Sequence, residues 1–417
     1  MKKKRLIIKL LHTLALVLLS AALFSQTITK QEVMNSVRKV ADNIIKNTTY
    51  LYYDRNTGDL ISNLQKYGYN KNIVPQNGYN DWKYWNGVIH IGFNALGQET
   101  NEPKYINYTR KNFEFLFRDY EYVKSLYADK NQWGFPLAQA LNITELDDCG
   151  AMGASLIELY MTDKKPEYIA YIDAASKHIM RKQERLTDGT FSRSEPFPNT
   201  VWADDLYMSV PFLGRMGMLT GDKTYFDEAA KQIILFNQYL FDEKVGLMWH
   251  CYYDDLKVNG GTFWGRCNGW MMMATADLLR LLPHGHPQRA QIISLLNRQI
   301  RNFAQYQSPS GMWHQILNKE DSYPETSSTA MFTYAVALAI NNGWLDKRYK
   351  TIALEGWKGI ASQITKEGAV TNICMGTGIG DDIKFYYDRP APYNDIHGLG
   401  AILLAGSEVY KLSDPDK

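Results

Sequence analysis

The sequence predicts an all-α fold, an (α/α)6 barrel in which six helical hairpins form a toroid. Two observations predict it. Apolar residues recur at three- and four-residue spacing in twelve segments, with almost no strand-like run between them. The segments also alternate in character: six are rich in Gly, Ala, Met and aromatic residues, and those between them carry more charge. A helix without a polar face is buried, whereas an amphipathic one meets water on one side. Strict alternation of the two kinds predicts an inner ring wrapped by an outer one.

The elements follow in order. An outer pattern at 30–48 precedes an inner one at 81–96, opened by Asp81-Trp-Lys-Tyr-Trp-Asn-Gly87. Next come outer 103–127, inner 148–161 behind Glu145-Leu-Asp-Asp-Cys-Gly150, and outer 166–183. Inner 202–219 starts in Val201-Trp-Ala-Asp-Asp-Leu-Tyr-Met208, and outer 223–241 carries Lys231. Inner 266–282 lies in Phe263-Trp-Gly-Arg-Cys-Asn-Gly-Trp270, and outer 287–306 holds the charged stretch Arg298 to Arg301. Inner 325–341, outer 347–364 and inner 397–411 complete the series. The inner segments open near Trp82, Asp148, Asp204, Arg266, Glu325 and His397, at intervals of 66, 56, 62, 59 and 72 residues. An open solenoid needs a polar terminal unit. The last segment, Gly400-Ala-Ile-Leu-Leu-Ala-Gly406, is as apolar as any inner one, so the pattern favours closure. No Pro/Gly/Ser linker divides the chain, which predicts a single domain over 26–417.

The chain has 417 residues, with 46 Lys+Arg against 44 Asp+Glu. Five of the bases and none of the acids fall in the first 25 residues, so the remainder holds 41 bases and 44 acids, or −3. That balance excludes an electrostatic footprint for nucleic acid or an anionic membrane. The same 25 residues read as a secretory signal peptide. Met1 to Arg5 is basic, Leu6 to Phe24 is mostly apolar, and Ala21, Ala22 and Ser25 are small residues before Gln26. Export, most simply to the periplasm, is the expectation, with a retained anchor as the alternative. Cys149, Cys251, Cys267 and Cys374 form no CxxC pair, so zinc spacing is absent. Disulfides and buried free thiols both remain open. His284 and His286 read as a solvated loop, and no metal or cofactor is expected.

In a closed toroid all inner helices start at one rim, so their opening segments converge on one mouth. Carboxylates, aromatics, an Arg and two His gathered there suit a carbohydrate: flat faces for rings and polar groups for hydroxyls. An Asp at a helix start is often only a cap. Capping therefore accounts for at least one member of each pair, Asp147/Asp148 and Asp204/Asp205. Asp204 stands between Trp202 and an apolar run, a setting that raises a carboxyl pKa by desolvation. A second carboxylate, Asp148, would then help keep one of the two protonated, as a general acid requires. An inward Arg266 must pair with Asp148, Asp204 or Glu325, or await an anionic ligand. Trp264 and Trp270 could be core, His250 a structural residue and His397 a helix cap. The segment with Asp381, Asp382, Tyr386, Tyr387 and Asp388 reads as a polar loop at the mouth.

Several motifs taken together carry a resemblance. Trp202-Ala-Asp-Asp-Leu-Tyr-Met208, Trp264-Gly-Arg-Cys-Asn-Gly-Trp270, Ser322-Tyr-Pro-Glu-Thr-Ser-Ser328, Gly376-Thr-Gly378 and Asn394-Asp-Ile-His-Gly-Leu-Gly400 occur in this order. The chain, over about 30–411, resembles the unsaturated glucuronyl and rhamnogalacturonyl hydrolases of glycoside hydrolase families 88 and 105, more closely the latter. The resemblance implies an (α/α)6 barrel, no metal, and removal of a terminal 4,5-unsaturated uronic acid from lyase-made oligosaccharides. It implies hydration rather than ordinary glycoside hydrolysis by two carboxylates. An acid protonates C4 of the enol ether, water attacks C5, and the hemiketal opens to expel the aglycone. It places the acid/base at Asp204 and the supporting carboxylate at Asp148, with the choice between Asp147 and Asp148 open. Substrate contacts map to Trp85, Asp147, Trp202, His250, Trp264, Arg266, Asn268, Trp270 and His397. Cys149 and Cys267 depart from the usual motif residues. The competing readings are an inverting glycosidase on saturated glycosides, a sugar epimerase, and a non-catalytic periplasmic glycan-binding protein.

Overall fold

The computed structural model describes residues 28–126 and 137–413. The expected signal peptide therefore lies outside the described residues. Twelve helices build the barrel: α1 (Lys30–Asn47), α2 (Tyr84–Thr100), α3 (Pro103–Arg118), α4 (Leu146–Tyr160), α5 (Pro166–Arg181) and α6 (Val210–Thr220). They continue with α7 (Lys223–Leu240), α8 (Gly265–Leu281), α9 (Arg289–Phe303), α10 (Thr326–Asn341), α11 (Lys350–Ser362) and α12 (Leu399–Leu412).

The alternation read from the sequence is the alternation of the two rings. Every residue of α10 from Thr326 to Ile340 is buried, and so is every residue of α8 from Gly265 to Leu279. Outer α9 buries one stripe, Arg289, Ile292, Leu296, Gln299, Ile300 and Phe303, at helical spacing. The inner helices α2, α4, α6, α8, α10 and α12 each pack on the next, and α12 packs back on α2. The ring is therefore closed. Each outer helix from α3 to α11 packs on the inner helix that precedes it, while α1 packs on α12. Glycine allows the tightest of these contacts. A Cβ at Gly87 would stand 2.3 Å from the Ala151 carbonyl carbon, and one at Gly400 would stand 2.5 Å from that of Val88. Only a residue without a side chain lets α2 approach both neighbours so closely.

The structure departs from the sequence reading at the expected helix 202–219. That segment opens as strand β1 (Thr200–Trp202), makes a 3-10 turn (Ala203–Leu206) and becomes helical only at Val210. Pro211 supplies the physical reason: without an N–H it belongs in a helix's first turn and fixes the start there. β1 pairs antiparallel with β2 (Cys251–Tyr253), which pairs with β3 (Val258–Gly260). Strands of three residues are too short to show alternation, so no periodic pattern marks them. The expected helix 103–127 likewise divides at Asp119 into α3 and a short helix, Tyr120–Leu126. All four cysteines are buried free thiols. Among the described residues, no helix is long and apolar enough to cross a membrane.

Candidate active site

The site grows out of the β1–β2 register. Trp202 stands opposite Cys251, and the Ala203 N–H donates to the His250 carbonyl at 3.0 Å. The 3-10 turn then turns the chain so that Asp204 faces the His250 ring. Its Oδ2 lies 3.2 Å from His250 Nε2. The two atoms are in contact without an aligned hydrogen bond, and both lack any other protein partner. His250 is fully buried, while the Asp204 side chain keeps 15% of its surface exposed. His250 Nδ1 lies 2.7 Å from the Tyr386 hydroxyl. Trp202 meets the His250 ring edge-on at 5.7 Å, and Trp264 lies 4.9 Å away on a tilt.

Each Asp pair divides into one structural and one open member. Asp148 Oδ2 accepts from the Thr144 N–H at 2.8 Å, the Thr144 hydroxyl at 2.9 Å and the Glu145 N–H at 3.0 Å. Asp148 thus caps α4 through Oδ2, the one carboxylate oxygen that all three donors reach. Asp205 is buried against Arg193. The open members are Asp204 and Asp147. Asp147 accepts from Arg193 Nη2 at 2.9 Å and keeps 21% of its side chain exposed. Arg193 also donates to Glu145 at 3.0 Å and stacks on Trp202 at 4.3 Å. One guanidinium thus ties both Asp pairs together.

Arg266, at the start of α8, is buried without a carboxylate partner among the described residues. Its Nη1 donates to the Cys374 carbonyl and, at 3.4 Å, to the Ser327 hydroxyl; Nη2 donates to the Met375 carbonyl at 2.6 Å. Its Nε has no partner, and the guanidinium lies 4.5 Å over the Trp264 ring. The pairing expected with Asp148, Asp204 or Glu325 is absent. Glu325 instead caps α10 through the Ser327 and Ser328 N–H groups. Carbonyl dipoles hold the cation, and Glu325 and Asp204 reach it only through space, without an ion pair.

Tyr84, Trp85 and His397 form the other wall. His397 lies 4.8 Å from Trp85 and 5.9 Å from Tyr84, and its Nδ1 is 2.5 Å from Asp395. His397 is therefore part of an aromatic cluster rather than a simple cap, and burial holds its imidazole below the usual pKa against the pull of Asp395. Tyr84 links the walls. Burial pushes its hydroxyl far up; Arg266 opposes this, and Asp147, Asp204 and Asp395 add to it.

Other predicted contacts sit in the framework. Trp270 is buried against Tyr207 at 4.7 Å, and Trp264 donates its indole N–H to Gln315 at 3.2 Å. Asn268 is no free ligand. Its Oδ1 accepts from the Met248 N–H at 2.7 Å, and its Nδ2 donates to the Met248 and Trp264 carbonyls. It pins Met248, two residues before His250. Sequence reasoning missed Arg193, Glu145 and Tyr84 as site residues and did not read Tyr386 as inward. Arg193 sits in a hairpin 12 residues before Asp205, and its other acid partners, Asp147 and Glu145, lie 46 and 48 residues away, so no helical or strand period marks it.

Five buried polar atoms without an aligned protein partner meet at this mouth: Trp85 Nε1, Trp202 Nε1, Asp204 Oδ2, His250 Nε2 and Arg266 Nε. Buried polar groups are normally satisfied, so such a cluster marks a place built for a polar ligand.

The family model described as Glycosyl Hydrolase Family 88 matches residues 52–413. The chain belongs to glycosyl hydrolase family 88. This family 88 chain is 33% identical over 216 residues to an unsaturated 3S-rhamnoglycuronyl hydrolase of Alteromonas sp., a match covering 50% of each chain. It is 26% identical over 326 residues to an unsaturated rhamnogalacturonyl hydrolase of Bacillus subtilis, covering 76% of this chain and 86% of the relative. The family 88 fold also superposes on a possible member of family GH105 from Salmonella enterica, with a TM-score of 0.76, 24% identity, and coverage of 93% and 96% of the two chains. The expected toroid and the expected families agree with these likenesses.

Proposed function

We propose that this protein removes a terminal 4,5-unsaturated uronic acid from lyase-generated oligosaccharides by hydrating the C4=C5 double bond. One observation carries the reading: an open carboxylate, Asp204, and a buried, unpaired cation, Arg266, stand at one aromatic-lined mouth. A uronide is an anionic ring with an electron-rich double bond, and it meets both requirements.

In this reading the uronate carboxylate compensates Arg266. Trp85 and Trp202 offer their free indole N–H groups to ring hydroxyls. Asp204 gives its proton to C4, and the cation at C5 is stabilised by the ring oxygen. Asp204 then takes a proton from the water that adds at C5, which returns the acid to its starting state. The product hemiketal opens and releases the aglycone. Of the two candidates for the supporting carboxylate, this reading takes Asp147, whose orientation is fixed by Arg193.

The relatives named for rhamnoglycuronyl and rhamnogalacturonyl substrates support a rhamnose-containing aglycone, from rhamnogalacturonan or a similar polysaccharide. The basic-then-apolar run of residues 1–25 supports export to the periplasm, where such fragments arrive. The test is the ultraviolet absorbance of the conjugated uronide during incubation with lyase products. Absorbance should fall with the protein and stay level with Asp204→Asn. Unchanged absorbance alongside cleavage of saturated glycosides would point instead to an inverting glycosidase.

A further inference from the structure

Tyr386 stands out among the groups that the proposed reaction does not use directly. It lies on a short helix, Ile383–Tyr387, whose Ile383 and Lys384 are exposed, yet Tyr386 itself is fully buried. Its ring meets His250 edge-on at 5.6 Å. Its hydroxyl has two described neighbours: the Gly380 N–H, which donates to it at 3.2 Å, and His250 Nδ1 at 2.7 Å.

Proton counting at this hydroxyl leaves one arrangement. The oxygen already accepts from Gly380. If His250 Nδ1 also donated to it, the phenolic proton would be buried without an acceptor, at a cost of about 1–3 kcal/mol. If the hydroxyl donates to Nδ1, the phenolic proton has its acceptor, and the remaining ring hydrogen faces Asp204 Oδ2 at 3.2 Å. Burial keeps the phenol protonated by pushing its pKa far up. In the neutral imidazole an accepting Nδ1 means that Nε2 carries the hydrogen. Nε2 is the atom 3.2 Å from Asp204 Oδ2.

We propose that Tyr386 is a positioning residue: its hydroxyl fixes His250 in the Nε2–H tautomer, and that N–H faces Asp204 Oδ2. The contact becomes an aligned hydrogen bond when the ligand seats Asp204. Oδ2 is then the anchored oxygen, and Oδ1 is the one that exchanges the proton. No new bond to the substrate is required of Tyr386. The role in catalysis rests on Asp204 being the acid/base, but the tautomer does not, and the two can be tested apart.

Nitrogen NMR of protein labelled with 15N-histidine reads the tautomer directly, with the His250 signals assigned by their loss in His250→Phe. Nδ1 should appear as the unprotonated nitrogen in the wild type, and Tyr386→Phe should shift or mix the two forms. A protonated Nδ1 in the wild type would overturn the proposal whatever the enzyme's substrate. For the kinetic arm, Tyr386→Phe should lower kcat on unsaturated disaccharides by roughly 10- to 100-fold with KM within about twofold, the signature of a misplaced group rather than lost binding. Because Tyr386 acts through His250, the double variant Tyr386→Phe/His250→Phe should be no slower than His250→Phe alone. Additive losses would mean a separate structural role and overturn the positioning claim. If the wild type hydrates no double bond, the proposed function fails while the NMR result still judges the tautomer.

Discussion

Arg193 grips Asp205 through three hydrogen bonds: Nε to both carboxylate oxygens at 3.1 and 2.9 Å, and Nη2 to Oδ1 at 2.5 Å. This clamp separates the roles of two adjacent residues. Asp205 is held from behind, and Asp204, the residue before it, is left facing the mouth.

The two should therefore respond differently to the same substitution. Asp204→Asn is expected to lower kcat by roughly 10²–10⁴-fold, with an unchanged Tm, because Asp204 makes no aligned bond that the fold needs. Asp205→Asn should lower stability by about 1–3 kcal/mol, since Arg193 stays buried with one partner weakened. Uronide absorbance and denaturant unfolding on both variants check the pair.

Arg266 already has its backbone partners, so its loss should appear in binding. Arg266→Gln is expected to raise KM for unsaturated uronides about 10- to 100-fold, the range for a charge-assisted hydrogen bond in a dry site. An unaltered KM would remove the uronate from Arg266.

Asp147 and Asp148 should separate on two readouts. Asp148→Ala frees three donors at the start of α4 and should cost about 1–2 kcal/mol of stability. Asp147→Asn should cost more in kcat/KM than in Tm. Thermal melts paired with kinetics on the two variants separate the roles.

The Arg193 cluster also predicts how stability varies with pH. Burial raises Glu145 to about 7 against the pull of Arg193, with Asp147, Asp205 and Asp148 adding to the rise. Burial likewise raises Asp205 to about 6, with Arg193 opposing. Both folded-state values lie above the unfolded ones. Between about pH 4 and 7 the native state therefore holds protons that the unfolded chain has released, and stability falls as pH rises through that window. Glu145→Gln should flatten the upper part of the fall, near pH 5 to 7. Urea midpoints at half-unit steps would detect it, and an identical slope in the variant would place the proton elsewhere.

The helices were legible because a closed double ring writes a strong period into the sequence. Buried α8 and α10 lack a polar face, and α9 has one. The mouth was legible because Trp, Asp and Arg cluster where inner helices open. The division within each Asp pair was not, since Asp147 and Asp148 differ only in which donors reach them in space. Arg193 and Tyr386 were beyond reach for the same reason. Arg193 meets Glu145, 48 residues away, and Tyr386 meets His250 across 136 residues.

The packing of α1 on α12 bears on how the molecule is made. Asn394 Nδ2 reaches Asn43 Oδ1 at 3.3 Å, across 351 residues of chain. A barrel sealed by its two most distant helices cannot seal until nearly all of it has left the ribosome, so the earlier hairpins must wait with one flank uncovered. His397 arrives with that last piece and completes the mouth at the same moment. A circle, moreover, has no first member. A permuted chain that joins the end of α12 to the start of α1 and opens at an exposed turn elsewhere should build the same barrel, with a different hairpin left to finish it.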